Sequence, residues 1–159
     1  MDLSYPSSQF PARPSIALSL PDTFTPLISP TAIVAAVDTA SPAGFTSNLL
    51  VICTRVIVDV TLEELAADVR DKTIAEYPTA RSSSTERFVI CGHDCLATVL
   101  ALKPPDLPFE VEQLQTVVLV PSANPEIRDL LQVHATYAAS ARDPYASLFH
   151  DAVQAMVIS

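Results

Sequence analysis

Two glycines in 159 residues leave no material for a phosphate-cradling loop, which needs several glycines so that the backbone can close on an anion. A nucleotide cofactor held in that way is excluded. Lysine and arginine together number nine against 18 acidic residues, for a formal charge of -9. Nucleic acid and anionic membrane surfaces both require clustered basic side chains, and here the basic residues are scattered singly. Neither is an expected partner. The three cysteines are odd in number and too few for a disulfide scaffold, in keeping with a reducing compartment. No apolar run reaches the roughly 18 residues that a membrane span needs. The opening stretch MDLSYPSSQFPARPS has no basic start followed by an apolar core, and no cysteine follows a short apolar leader. These absences predict a soluble cytoplasmic protein, or one of the cell envelope if a leader has been removed.

What is present is apolar. Hydrophobic residues make up 49% of the chain and charged ones 17%, a balance that favours a compact globule over disorder. Residues 1–15, with Pro6, Pro11 and Pro14 among serines, show no periodicity and read as a flexible tail. Residues 16–159 then read as a single domain.

The segments SIALSLP and TAIVAAVD have the character of short strands. NLLVICTRVIVDV, residues 48–60, is apolar on both faces, as a strand covered on both sides would be. Thr61 and Glu64 form a capping box with Val60 and Leu65 as a hydrophobic staple, so a helix is predicted to begin at Thr61 and to be stopped by Pro78. TERFVIC and CLATVLAL follow as a hairpin about a three-residue turn, Gly92 to Asp94, with Gly92 at positive φ. VEQLQTVVLVP is a further strand, and in LLQVHATYA the alternation predicts a strand with one wet face. A second helix is expected after Asp143 as cap and Pro144 at the first helical position, with Tyr145, Leu148, Phe149, Ala152, Val153 and Met156 as its apolar stripe. Short connections make the sheet mainly antiparallel, with six to seven strands sandwiched between helices on opposite faces, an α/β (α+β) fold.

The order of these elements, with LSLPDTF, FTSNLLV, CGHDCLAT and the closing YASLFHDAVQAMVIS, resembles the actinobacterial LpqN/LpqT-type lipoprotein family and the wider PsbP-like fold. The chain departs from that pattern at Phe24, where such proteins often carry Trp, and in lacking the lipoprotein leader and its acylated cysteine. The resemblance implies an accessory or binding role, as in photosystem extrinsic subunits, a Ran-binding import factor and chaperones of secreted effectors. Fold alone assigns no function.

Reactive side chains gather at Cys91, His93, Asp94 and Cys95. Zinc would need a fourth ligand from Cys53, His134 or His150, and the local spacing is poor for wrapping an ion, so no metal is expected. A Cys91–Cys95 disulfide requires the two to be directly opposed in the hairpin. The simpler reading is of cysteines acting as small hydrophobes beside an exposed turn. A thiol enzyme built on Cys53, with His134 and Asp129, or on the cysteine hairpin, is the alternative from another class. The carboxylates Glu63, Glu64, Asp68, Asp71 and Glu76 read as the solvated face of the first helix.

Leu107 and Phe109 sit in the proline-stiffened loop KPPDLPFE, which would lose little entropy on binding and is therefore a candidate partner contact. Folding of Phe109 back over the sheet is the competing arrangement. The leading expectation is a non-catalytic protein, without cofactor, that binds another protein. A carrier of a lipid or small apolar ligand, with a pocket between helix and sheet, is the second.

Overall fold

The computed structural model describes residues 4–41 and 44–159. Met1 to Leu3 of the predicted tail, and Pro42 and Ala43 in the loop before the long apolar strand, lie outside the described residues.

Alternating and doubly apolar runs become strands where the periodicity predicts them. The long ones are β4 (Asn48–Ile57), β7 (His93–Leu102), β8 (Val111–Pro121) and β9 (Ile127–Ala138). Shorter strands flank them: β2 (Phe24–Pro26), β3 (Val34–Asp38), β5 (Arg81–Ser82) and β6 (Glu86–Ile90). Together they form one eight-stranded sheet in the order β2-β3-β4-β9-β8-β7-β5, with β6 also paired to β7. Every pairing is antiparallel. The four strands predicted from TERFVIC to LLQVHATYA are thus present as a meander, β6 to β9, and β9 pairs with β4 along the length of β4.

One helix lies against each face. Helix α1 (Leu62–Glu76) starts at the predicted capping box, in which Glu64 N–H donates to Thr61 Oγ1 (3.2 Å) and Thr61 N–H donates to Glu64 Oε2 (2.9 Å). Its Leu62, Leu65 and Val69 pack on Leu96, Val117 and Leu130 of the sheet. Helix α2 (Arg142–Gln154) covers the other face, where Tyr145, Phe149 and Val153 meet Leu49, Val51, Val118, Leu131, Val133 and Tyr137. Tyr137, Tyr145 and Phe149 are mutually stacked, with ring centroids 5.8–6.1 Å apart. Most of the apolar burial, and hence most of the hydrophobic stabilisation, lies on this side.

Several expectations are corrected. Asp143 is not the cap of α2: a 3-10 turn over Ala139–Ala141 leads directly into the helix, so Asp143 falls inside its first turn and no side chain caps it. The hairpin turn has two residues rather than three. Ile90 pairs with His93, leaving Cys91 (φ 48°) and Gly92 (φ 81°) at the tip, both left-handed as such a tight turn demands. The SIALSLP segment stays outside the large sheet. Only β1 (Ile16–Ala17) is a strand, and it pairs with β10 (Val157–Ile158) beyond α2. The chain therefore does not end in a helix. Nor does α1 roof the whole second face of β4. It lies mainly over β7 and β8 and reaches β4 only at Val56, so Leu50 and Ile52 remain half-buried.

The second glycine is also at positive φ. At Gly44 (φ 100°) the backbone conformation favours glycine, and an added Cβ would stand 3.2 Å from the Phe109 ring, a tight approach that the ring would have to yield to.

Candidate functional site: a groove between the second helix and the sheet

Alternation along β7 sends Ala97, Val99 and Ala101 to the α2 side of the sheet, and pairing sets Leu114 beside Val99 and Glu112 beside Ala101. Across from them, helical spacing puts Arg142, Ala146 and His150 on one stripe of α2, with Ser147 and Asp151 next to it. The edge segment from Arg81 to Glu86 closes the far side. Because the floor is built from small side chains, the space is not filled. A groove of about 680 Å³ remains, lined by these residues, Thr85 excepted, and by Tyr137.

At the bottom of the groove Glu112 is 9% exposed. The Tyr137 hydroxyl donates to its Oε2 (3.0 Å), and burial, followed by the neighbouring carboxylate, raises the Tyr137 pKa and keeps it a donor. Oε1 faces Arg142 at 3.5 Å, long for a charge-assisted hydrogen bond, and the Arg142 side chain is 64% exposed. The other arginine of the groove, Arg81, donates to Glu110 (3.0 Å). Among the described residues, the groove carboxylates Glu86 and Asp151 make no ion pair.

The residues singled out in the sequence lie elsewhere. Cys53 points to the α2 side and His134 to the α1 side, since Cys53 pairs with Leu131 and His134 with Leu50 in alternating registers. A Cys53–His134 couple is therefore ruled out by the sheet itself. Cys53 is buried with its thiol 4.0 Å from Asp129 Oδ1, and burial together with that carboxylate raises its pKa, the reverse of an activated nucleophile. Arg55 Nε donates to the same Asp129 oxygen (3.1 Å) and Arg55 also donates to the Pro11 carbonyl, so the expected free tail is tied to the sheet at that point.

In the cysteine hairpin the register sets Cys95 opposite Phe88, not opposite Cys91. Both thiols are free, Cys91 donating to the Met156 carbonyl and Cys95 to that of His93, each at 3.2 Å. Burial pushes the Cys95 pKa up to about 11. Among the described residues no group of three His, Cys, Asp or Glu side chains is placed to hold a metal ion. Leu107 and Phe109 are half-buried. Phe109 meets Phe45 edge-on at 6.5 Å, and both pack against Leu100, Leu102 and Val111.

The groove residues were not found from sequence, but one signal was available. In VEQLQTVVLVP, Glu112 shares its parity with Leu114, Val118 and Val120, so a carboxylate occupies an inward position of an otherwise core-facing series. Such a residue calls for a partner.

An antiparallel sheet with a helix on each face, closed by a meander, defines a PsbP-like α/β sandwich. The structure is similar to that of LpqN, described as involved in cell envelope biogenesis in Mycobacterium tuberculosis, with a TM-score of 0.75 and 15% identity over 94% of this chain and 86% of that one. It is also similar to the cyanobacterial PsbP (CyanoP) from Synechocystis sp. PCC 6803, with a TM-score of 0.63 and 17% identity over 92% of both chains. At these identities the likeness shows the fold. No protein-family model and no curated protein matches the sequence. No helix among the described residues is long and apolar enough to cross a membrane.

Proposed function

We propose that this is a non-catalytic binding protein whose ligand, an elongated small molecule, lies in the groove between α2 and β7. The observation that carries this reading is the groove itself: about 680 Å³ over a floor of Ala97, Val99, Ala101 and Leu114, with Glu112 buried at one end. An apolar floor with a few convergent polar groups is the usual form of a small-molecule site. Support for a non-catalytic role comes from the chemistry of the candidates, since the buried thiols are held protonated and Cys53 is separated from His134 by the sheet. The geometry favours the groove over the 103–110 loop, whose apolar side chains are engaged in packing. The cell-envelope role named for LpqN makes envelope fractions the first source in which to look for the ligand.

The test is amide chemical-shift mapping of the full chain against fractionated small-molecule extracts. Binding fractions are expected to shift Ala97, Val99, Ala101 and Ala146, and the groove-filling variant Ala146→Phe should abolish those shifts. Binding that survives Ala146→Phe, with its shifts on another face, would show the groove reading to be wrong.

A further inference from the structure

The sheet face opposite the groove is only half roofed. Helix α1 lies mainly over β7 and β8 and reaches β4 only at Val56. Alternation and pairing place Leu27, Val37, Leu50 and Ile52 on the open half. Leu50 stands opposite His134 and Ala35, Ile52 opposite Gln132, Val37 opposite Thr25, and the Leu27 N–H donates to the Ala35 carbonyl (2.9 Å). Among the described residues these four apolar side chains join no core cluster. At the β2 margin the loop to β3 continues the apolar surface, with Leu27 51% and Ile28 99% exposed. Across the strands, between β4, β9 and α1, is a cavity of about 320 Å³ walled by Val56, Leu65, Val69 and Leu130 with Gln132 and His134.

Charge selects the occupant. The protein carries -9 overall, yet residues 23–37, 39–54 and 130–141, which build this half, hold no acidic or basic residue except His134. Asp68 and Lys72 at the cavity are paired with each other (2.7 Å). A strongly charged partner has nothing here to recognise. Copies of an acidic protein repel one another where their charged surfaces meet, and on this face they can approach without that repulsion. Shape agrees. A two-fold interface sets one patch against itself, so a projection must have its recess on the same patch. The β2–β3 loop and the cavity lie two to three strand spacings apart, roughly 12 Å at about 4.8 Å each. An axis over β3 and β4 exchanges them.

Pairing through the sheet edge is closed off. Thr23 and Leu27 bond inward to β3, so the outward positions of β2 are Phe24 and Pro26. The Phe24 N–H is taken by the Pro21 carbonyl (2.9 Å) and Pro26 has none. The open half spans about 14 Å from β2 to β9 and about 20 Å along β4, to which the loop and the cavity walls add. A standard interface takes roughly 800 Å² from each partner, so a contact of this size is reversible.

We infer that a second copy of this chain docks here, forming a reversible two-fold dimer. The loop carrying Leu27 and Ile28 of each copy enters the cavity of the other, and Leu50 and Ile52 meet their counterparts near the axis. The groove beside α2 lies on the opposite face and stays open in both copies.

The experiment is sedimentation velocity of the full-length chain from low micromolar to submillimolar concentration, with amide shifts followed over the same range. Sedimentation should rise towards a species of twice 17.0 kDa, with concentration-dependent shifts at Leu27, Ile28, Leu50, Ile52 and His134. Leu27→Glu and Ile28→Glu should each raise the dimer dissociation constant at least tenfold. If Leu27→Glu proves unfolded, the fully exposed Ile28→Glu decides. Ile57→Glu, at an exposed position (63%) that alternation sets on the other side of β4, should leave the dimer unchanged. A monomer at every concentration would overturn the inference. So would a dimer indifferent to both loop substitutions, or growth beyond the dimer, which marks a contact that does not close. A monomer that sediments with neutral phosphatidylcholine vesicles and is released by Ile28→Glu would make the face a lipid contact and reject the second copy.

Discussion

His134 shows how one side chain can couple this fold to pH. It stands half-buried on the α1 face of β9, opposite Gln115 and Leu50, beside a second cavity lined also by Asp68 and Lys72 of α1 and by Gln132 and Thr54. Asp68 and Lys72 pair with each other at 2.7 Å, so neither is committed to the imidazole. Burial lowers the His134 pKa from 6.5 to about 4. The unfolded chain therefore takes up a proton between pH 6.5 and about 4 that the folded chain refuses, and folding stability falls as pH drops through that window. Its partial exposure keeps the loss well below the full proton-coupling value. Urea denaturation midpoints should decline from pH 7 to pH 4.5 in the wild type, and His134→Gln should flatten most of that decline. Carboxylates contribute at lower pH. Burial works against the charge of Asp38, but hydrogen bonds from Tyr145, Ala40 and Thr23 outweigh it and leave its pKa lowered, so its contribution is lost only on further acidification.

At the scale of elements, what could be read from the sequence depended on length. β4, β7, β8 and β9 carry ten or more residues each, enough for alternation or a doubly apolar run to stand out, and α1 carries a complete capping box. The two- and three-residue strands β1, β2, β5 and β10 have no periodicity to detect, because they exist through their partners. The turn of the β6–β7 hairpin was misread for a chemical reason. Tight two-residue turns are recognised by Asn-Gly or Asp-Gly, whose first residue tolerates positive φ, and here that position is Cys91 at φ 48°. Gly92 at positive φ was legible, and the register was not. The same geometry makes Cys91→Asn a stabilising change: Asn relieves left-handed strain of about 1 kcal/mol, against the loss of a weak thiol contact to Met156. A gain of about 0.5 kcal/mol is expected in denaturant unfolding, with no change in the slope of the transition.

At the scale of the whole molecule, the apolar faces that build the core were legible, and the groove was not, because a groove is the space between elements that no single periodicity describes. Glu112 was the one local mark of it. The closure of the two ends was equally hidden. Ser15 and Ser159 exchange backbone hydrogen bonds, with N–O distances of 2.7 Å and 3.1 Å, and their hydroxyl oxygens lie 2.7 Å apart. This closure fastens the segment after α2 over the main core, where Met156 is 1% exposed and Ile158 is 9% exposed, while Val157 between them is 53% exposed. Residues beyond the last helix are therefore structural parts of the core rather than a trailing end. Met156→Ala should cost about 2–4 kcal/mol by loss of buried surface and the cavity left behind. Val157→Ala should stay within about 0.5 kcal/mol. Ile158→Ala should loosen the ribbon as well, so that the Ser15 and Ser159 amides exchange faster with solvent while the amides of β8 and β9 keep their protection. Equal sensitivity at Val157 and Met156, measured by urea denaturation, would mean that the closing ribbon is held by its backbone alone, and that the core ends with α2.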